Sequence, residues 1–334
     1  MDLKSNEPFW LVKNGLLNTY PSLQKDISCD VLIVGGGITG ALIAHQCMAD
    51  GKKCVLIDKR EIANGSSAAT TSMLQYEIDI PLYRLKELIG IQGAIASYRA
   101  CGEAIDKLGR LAKKIRSKAG FRSKQSLYYA AKKKDIAWLK VEFEARQEAG
   151  FDVKWLTERD IRERYAMCGA YGGILSDLGA SIDAICFTHE LLAYNVNRGL
   201  SIFDKTALEK VFYKSGYNSA ITSTGAKIKA EKIIYCTGYE TTNLISEKFV
   251  DLLSTFAIVS EADKEHNQLY RDLLIWNTAT PYLYMRTTDD DRFLIGGEDE
   301  TFRDPIKRDE LIAKKSHKLA QSFNKIFVDK TFRT

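Results

Sequence analysis

Gly35, Gly37 and Gly40 lie in the run Asp30-Val-Leu-Ile-Val-Gly-Gly-Gly-Ile-Thr-Gly40, and an acid, Asp58, closes Lys53-Cys-Val-Leu-Ile-Asp58 eighteen residues further on. Glycines at this spacing have separate tasks. Gly35 permits a tight turn, Gly37 lets the backbone approach a pyrophosphate, and Gly40 lets the following helix pack closely on the strand before it. The helix start at Ile38 and Thr39 then points N–H groups and a positive dipole end at the phosphates. Asp58 stands where an acid accepts hydrogen bonds from a ribose diol. A glycine turn alone would suit many α/β proteins. Framed by a buried strand, a helix and a second strand with a terminal acid, it reads as a dinucleotide site.

Two later stretches could also carry chemistry. Lys232-Ile-Ile-Tyr-Cys-Thr-Gly-Tyr239 is an apolar strand that ends in Thr237-Gly238. Open α/β sheets bind ligands at the carboxyl ends of their strands, although a strand running into a glycine turn would look the same. Pro281-Tyr-Leu-Tyr-Met-Arg286, the acidic tip Thr287-Thr-Asp-Asp-Asp291 and Arg292-Phe-Leu-Ile-Gly296 read as a β-hairpin. Alternation puts Tyr282, Tyr284 and Arg286 on one face. Two phenols and a planar guanidinium there could hold a small carboxylate, or could equally be the wet face of an antiparallel sheet.

The elements that must position these residues follow from period and turn chemistry. Residues 1–26 read as a lead-in with exposed aromatics Phe9 and Trp10. After the βαβ unit comes Asn64-Gly-Ser-Ser-Ala-Ala-Thr-Thr-Ser72, whose small side chains allow a backbone to wrap a ligand. Apolar residues recur at helical spacing from Tyr83 to Arg116, with glycine breaks. Strands are expected at 126–131 and 152–156, and helices at 134–149 and 187–197. Thr157 and Asp160 have capping-box character at the start of a short helix. Strands at 201–204 and 207–213 lead into a hairpin ending at Tyr235.

With 45% hydrophobic and 27% charged residues the composition is that of a globular protein, and no window approaches a membrane span. A cytoplasmic location is the expectation. The seven cysteines lack CxxC pairing, and His45, His189, His266 and His317 lack metal-ligand spacing. No metal is expected. Lysines cluster near residues 113–134, but a net charge of +5 is modest, and such clusters are solvated faces more often than nucleic-acid sites.

Taken in order over about residues 28 to 300, CDVLIVGGGITGALIA, VLIDKREIANGSSAATTSMLQYEID, IIYCTGYE and YLYMRTTDDDRFLIGGEDE resemble the FAD-dependent family of D-amino acid oxidase, glycine oxidase and sarcosine oxidase. The resemblance implies an extended FAD. Gly35, Gly37, Ile38, Thr39 and Gly40 would line its pyrophosphate, and Asp58 with Lys59 would hold the adenosine ribose. Ser66 and Ser67 would contact phosphate or ribityl oxygens, while Thr71, Ser72 and the segment to Gln75 would pass the isoalloxazine. Leu208 would meet the adenine, with Thr237 and Gly238 closing the site. Arg286, with Tyr282, Tyr284 and Gln75, would hold the substrate by its carboxylate.

The implied fold is α/β: a Rossmann-like, doubly wound FAD domain with an inserted α+β substrate domain on a mixed, largely antiparallel sheet. Residues 27–82 and 172–248 would form the first, with helix 305–328 returning to it; residues 83–171 and 249–304 would form the second. Relatives continue past that helix into an Asp-Gly-x-Pro-x-Gly turn that completes the pocket. No such motif precedes Thr334, so a truncated product or a shortened homologue is expected.

The implied reaction is hydride transfer from the α-carbon of a small amino acid or secondary amine to flavin N5, with oxygen or another carrier as the final acceptor. The rivals are an NAD-dependent dehydrogenase on the same fingerprint and an FAD-binding module without catalysis of its own.

Overall fold

The computed structural model describes residues 1–5, 7–302 and 304–333; the side chain of His266 lies outside the described set. The chain divides into two compact units, the first comprising Met1–Thr70, Ala112–Ala119 and Asp183–Leu252, the second Thr71–Leu111, Gly120–Ile182 and Leu253–Thr334.

The first unit contains α1 (Phe9–Asn14), β1 (Ile27–Val34), α2 (Ile38–Ala49), β2 (Cys54–Ile57), α3 (Ser66–Ala69), α8 (Ala184–Val196), β7 (Ser201–Phe203), β8 (Leu208–Lys214), β9 (Tyr217–Thr222) and β10 (Lys227–Tyr235). Its sheet runs β7-β2-β1-β10-β9-β8. β7, β2, β1 and β10 are parallel, and β9 and β8 extend them antiparallel. The central strands β1 and β2 are apolar where both faces are covered: Val31 to Val34 and Cys54 to Ile57 are buried throughout. The lead-in is packed rather than loose. Trp10 is 2% exposed and its Nε1 donates to Thr70 O at 2.7 Å, while Asn14 Nδ2 donates to Asp183 Oδ2 at 2.8 Å. The expected exposure of Trp10 is therefore corrected: a buried partner surface 60 residues away cannot be read from a short polar flank.

The second unit contains β3 (Met73–Gln75), α4 (Leu82–Ile89), most of α5 (Ile91–Lys114), β4 (Arg122–Tyr129), α6 (Ile136–Glu148), β5 (Val153–Thr157), α7 (Glu158–Tyr165), β6 (Gly172–Ser181), β11 (Ser254–Ala262), α9 (Lys264–Asn267), β12 (Leu273–Asn277), β13 (Tyr284–Thr287), β14 (Arg292–Glu300) and α10 (Pro305–Ile326). Seven strands run β11-β14-β13-β12-β4-β6-β3, and β5 pairs with β6 off that path. Alternation sorts side chains into two cores. Leu127, Tyr129, Ile275, Met285, Phe293 and Ile295 join Leu319, Phe323 and Ile326 of α10 on one face. Tyr128, Ile174 and Trp276 join Leu85, Tyr98 and Leu139 of the helices on the other. The capping box at α7 forms: Thr157 Oγ1 accepts from Asp160 N, and Asp160 Oδ2 from Thr157 N.

These units differ from the boundaries the sequence suggested. Residues 71–82 and 172–182 supply β3 and β6 to the second sheet, and α10 lies on β11 and β14 there rather than returning to the nucleotide unit. The reason is the aromatic spine: Phe323 packs on Phe293 at 4.9 Å and on Phe327 at 4.8 Å, and Phe327 on Tyr270 at 5.0 Å. Helical period shows that α10 has an apolar stripe but not which sheet receives it.

Between the helices and this sheet lies a buried charge network. Arg146 on α6 has Nε donating to Glu142 Oε1 at 2.6 Å and Nη1 donating to Tyr76 Oη at 3.0 Å and Glu77 Oε1 at 3.2 Å. All three charged side chains are at most 1% exposed. Burial raises the Glu77 carboxyl, against the pull of Arg146.

Candidate functional site

In the first unit the glycine turn has little room. Gly35 has φ +113° and a Cβ there would meet Cys236 O; a Cβ on Gly40 would overlap Gly35 O, and one on Gly37 would lie 3.0 Å from Ser67 Oγ. The helix α2 starts at Ile38 without a side-chain cap, and Ile38 N donates to Ser67 Oγ at 3.0 Å. An uncapped helix start beside glycine backbone is a cradle for an anion.

Asp58 at the end of β2 accepts from Gly36 N at 2.6 Å and Arg60 N at 2.8 Å, while burial raises its pKa. Its backbone is tied to the segment before β8. Asp58 N donates to Phe203 O at 3.0 Å, Thr206 N to Asp58 O at 2.7 Å and Lys205 N to Arg60 O at 3.1 Å. The fold thus brings the glycine turn, Asp58 and Lys59, Ser66 and Ser67, and the approach to Leu208 together in one unit.

Thr237 and Gly238 follow β10 there, and a Cβ on Gly238 would face open space at φ +56°. Beyond them stands a residue that motif reading missed. Glu240 accepts from Lys59 Nζ at 2.6 Å and from Arg60 Nη1 at 3.1 Å and Nη2 at 3.0 Å. Burial works to raise its pKa, but hydrogen bonds from Arg60 and Lys59 hold it at about 2. Asn64 Oδ1, in the small-residue loop, is buried without a hydrogen-bond partner among the described residues, as expected of a group that meets a polar ligand. These residues fit an extended dinucleotide: backbone amides for the pyrophosphate, an acid for a ribose, and a cleared glycine path.

The remaining expected residues belong to the second unit. Tyr284 Oη lies 3.3 Å from Thr255 Oγ1, and its ring lies over Gly296, where any Cβ would collide with it. Burial, then the charge of Asp79, raises the pKa of Tyr282. Gln75 is on β3, opposite Gly179 of β6. Arg286 is 2% exposed, and its guanidinium faces main-chain carbonyls. Nε donates to Thr71 O at 2.7 Å, Nη1 to Thr287 O at 3.2 Å and Nη2 to Ile182 O at 3.4 Å. These contacts anchor the chain at Thr71 and Ile182.

A second buried cation lies nearby. Lys124 Nζ donates to Arg271 O and, at 3.4 Å, to Thr287 O. Burial, then the charges of Arg286 and Arg122, lower its pKa from 10.5 to about 7. A lysine depressed in the fold binds fewer protons there than in the unfolded chain, so its contribution to stability improves as pH rises from about 7 towards 10.5. Lys124→Met is expected to abolish that gain, and unfolding midpoints at the two ends of the window measure it. An unchanged slope would mean that Lys124 stays charged in the fold.

A Rossmann-like nucleotide unit and a second unit on a large mixed sheet make this an α/β protein with a dinucleotide-binding unit. A family model described as FAD dependent oxidoreductase, DAO, matches residues 30–332, and the chain belongs to that family. FAD is its cofactor, which removes the NAD alternative. Among known proteins the chain is 26% identical over 234 residues to the putative Rieske 2Fe-2S iron-sulfur protein YhfW of Bacillus subtilis (strain 168), covering 70% of this chain and 44% of that protein. It is 49% identical over 45 residues to alpha-glycerophosphate oxidase of Enterococcus casseliflavus, covering 14% of this chain and 7% of the other. The chain therefore spans less than half the length of these relatives. Among solved structures it resembles glycine oxidase from Geobacillus kaustophilus (TM-score 0.72, 18% identity, 92% of this chain and 81% of that one). It also resembles L-α-glycerophosphate oxidase from Mycoplasma pneumoniae with FAD bound (TM-score 0.70, 16% identity, 91% and 80%). At such identities the likeness is one of fold. No helix among the described residues is long and apolar enough to cross a membrane.

Proposed function

We propose that the chain oxidises a small amine, either an amino acid or a secondary amine, giving an imine that water hydrolyses. The observation that carries this reading is the pair of phenols Tyr282 and Tyr284, with ring centroids 5.6 Å apart, and Asp79 close enough to act electrostatically on Tyr282. Bound FAD supplies the hydride acceptor, N5. The chain's own residues do the rest. Gly35 to Gly40, Ser67 and Asp58 hold and orient the cofactor; Tyr282, Tyr284 and Gln75 hold the amine; Arg286 acts as a positioning residue that fixes the backbone at Thr71. The amine loses a proton to solvent, its α-C–H bond breaks with the electron pair leaving as hydride, and the nitrogen lone pair closes the C=N bond. Holding the reacting atoms in one geometry contributes up to about 7–11 kcal/mol in ideal cases.

The test is anaerobic mixing of FAD-loaded protein with amino acids, N-methyl amines and glycerol 3-phosphate. Loss of the oxidised-flavin absorbance with an amine is expected; bleaching by glycerol 3-phosphate alone would overturn the reading. Likeness to a protein named for a Rieske cluster favours an iron–sulfur carrier over oxygen as the electron acceptor. Slow reoxidation of the reduced flavin in air is then expected.

A further inference from the structure

We propose that the second unit recognises its substrate by a positive charge, and that the substrate is an amine without an α-carboxylate. This rests on the amine-oxidation reading and narrows it. Four aromatic rings form a continuous row on one face of the sheet. Tyr128 and Trp276 stack at 3.7 Å with an 8° interplanar angle, Trp276 meets Tyr282 edge-on at 6.4 Å, and Tyr282 meets Tyr284 at 5.6 Å. Register explains the row: Tyr128 pairs with Trp276 across β4 and β12, and Trp276 with Tyr284 across β12 and β13. Ring faces carry negative charge and attract a cation placed within about 6 Å of the centroid.

Two carboxylates flank this row. Asp79, an exposed side chain, and the half-buried Asp299 both lie close enough to act electrostatically on the Tyr282 phenol. Among the described residues neither acid forms an ion pair within 4.0 Å, and Asp299 Oδ1 is buried without a hydrogen-bond partner. Trp276 is 7% exposed and its Nε1 also has no partner. Buried polar atoms are rarely left unpaired unless something else meets them. Of the cations nearby, Arg286 and Lys124 are turned onto main-chain carbonyls, and Arg146, 5.8 Å from the Tyr128 ring, is paired with Glu142 and Glu77. A buried, unpartnered Asp299 oxygen and a second carboxylate beside aromatic rings suit an ammonium; a substrate carboxylate placed there would face Asp79 and Asp299 at a cost. The chemical class is a primary, secondary or N-methylated alkyl amine.

The experiment uses FAD-loaded protein and two readouts. Binding of benzyltrimethylammonium, which cannot be oxidised at a free amine, is followed by titration calorimetry and Trp fluorescence. Asp79→Asn and Asp299→Asn are expected to weaken it roughly tenfold each, equivalent to about 1.4 kcal/mol, with FAD content unchanged as the measure of folding. Anaerobic flavin reduction then compares N-methylbutylamine with N-methylglycine and D-alanine, and the amine without a carboxylate is expected to react faster. No binding of the quaternary ion, binding indifferent to both substitutions, or faster reduction by the amino acids would overturn the cation site. Binding that depends on both acids, with no reduction by any amine, would leave the cation site standing and overturn amine oxidation instead.

Discussion

Arg146→Ala is expected to cost about 3–5 kcal/mol of stability, because it leaves two carboxylates buried without their cation. Glu142 and Glu77 are both sealed from solvent, and Arg146 is the cation that hydrogen-bonds each of them. The guanidinium also packs near the rings of Tyr76 at 5.4 Å, Tyr98 at 5.8 Å and Tyr128 at 5.8 Å, so truncation removes packing as well as charge. The pH dependence gives an independent signature. Without Arg146 the Glu77 carboxyl, already raised by burial, sits further above its unfolded pKa, so the folded variant binds more protons than the unfolded chain. Its stability should therefore rise as pH falls, and its deficit against the parent should shrink in mild acid. Urea denaturation at neutral and mildly acidic pH measures both effects. A deficit under about 1 kcal/mol at neutral pH would mean that the network is not charged in the fold. Arg146→Met with Glu142→Leu should recover part of the loss, since replacing a buried pair by apolar groups is often close to neutral.

Gly40→Ala is expected to abolish stable FAD retention, and Gly37→Ala to weaken it by another route. The added methyl of Gly40→Ala overlaps Gly35 O, and backbone must move to relieve it. Such overpacking costs about 1–3 kcal/mol, and if it falls on the cofactor-bound geometry it corresponds to roughly 10–100-fold weaker binding. At Gly37 the nearest atom is Ser67 Oγ at 3.0 Å, part of a side chain that can rotate. Gly37→Ala should accordingly leave the melting of the cofactor-free protein unchanged and lower only FAD affinity. The flavin-to-protein ratio after gel filtration and thermal melts with and without added FAD separate the two. If both variants retained FAD like the parent, the pyrophosphate would not lie along this turn.

Some of this was legible from residue order alone. The βαβ fingerprint was, because its glycines, apolar strand and terminal acid lie within a single short span whose geometry is local. The strands of the hairpin at Tyr284–Thr287 and Arg292–Glu300 were also readable, since alternation has a period of two and the acidic tip marks the turn. The receiving sheet of α10 was not, because an apolar stripe does not name its partner. Nor were the ion pairs of Glu240 with Lys59 and Arg60, or the nearness of Asp79 and Asp299 to Tyr282, since single acids outside a motif carry no local signature.

Arg286 marks the division between the two kinds of information. Residue order suffices to place an arginine at the end of a tyrosine-rich strand in an FAD-dependent family. What that arginine touches is settled by folding: carbonyls of Thr71 and Ile182, which lie 215 and 104 residues away along the chain. A guanidinium bonds to whichever acceptors packing brings within about 3 Å. Residue type fixes the donors it offers, and only the meeting of distant segments selects the acceptors.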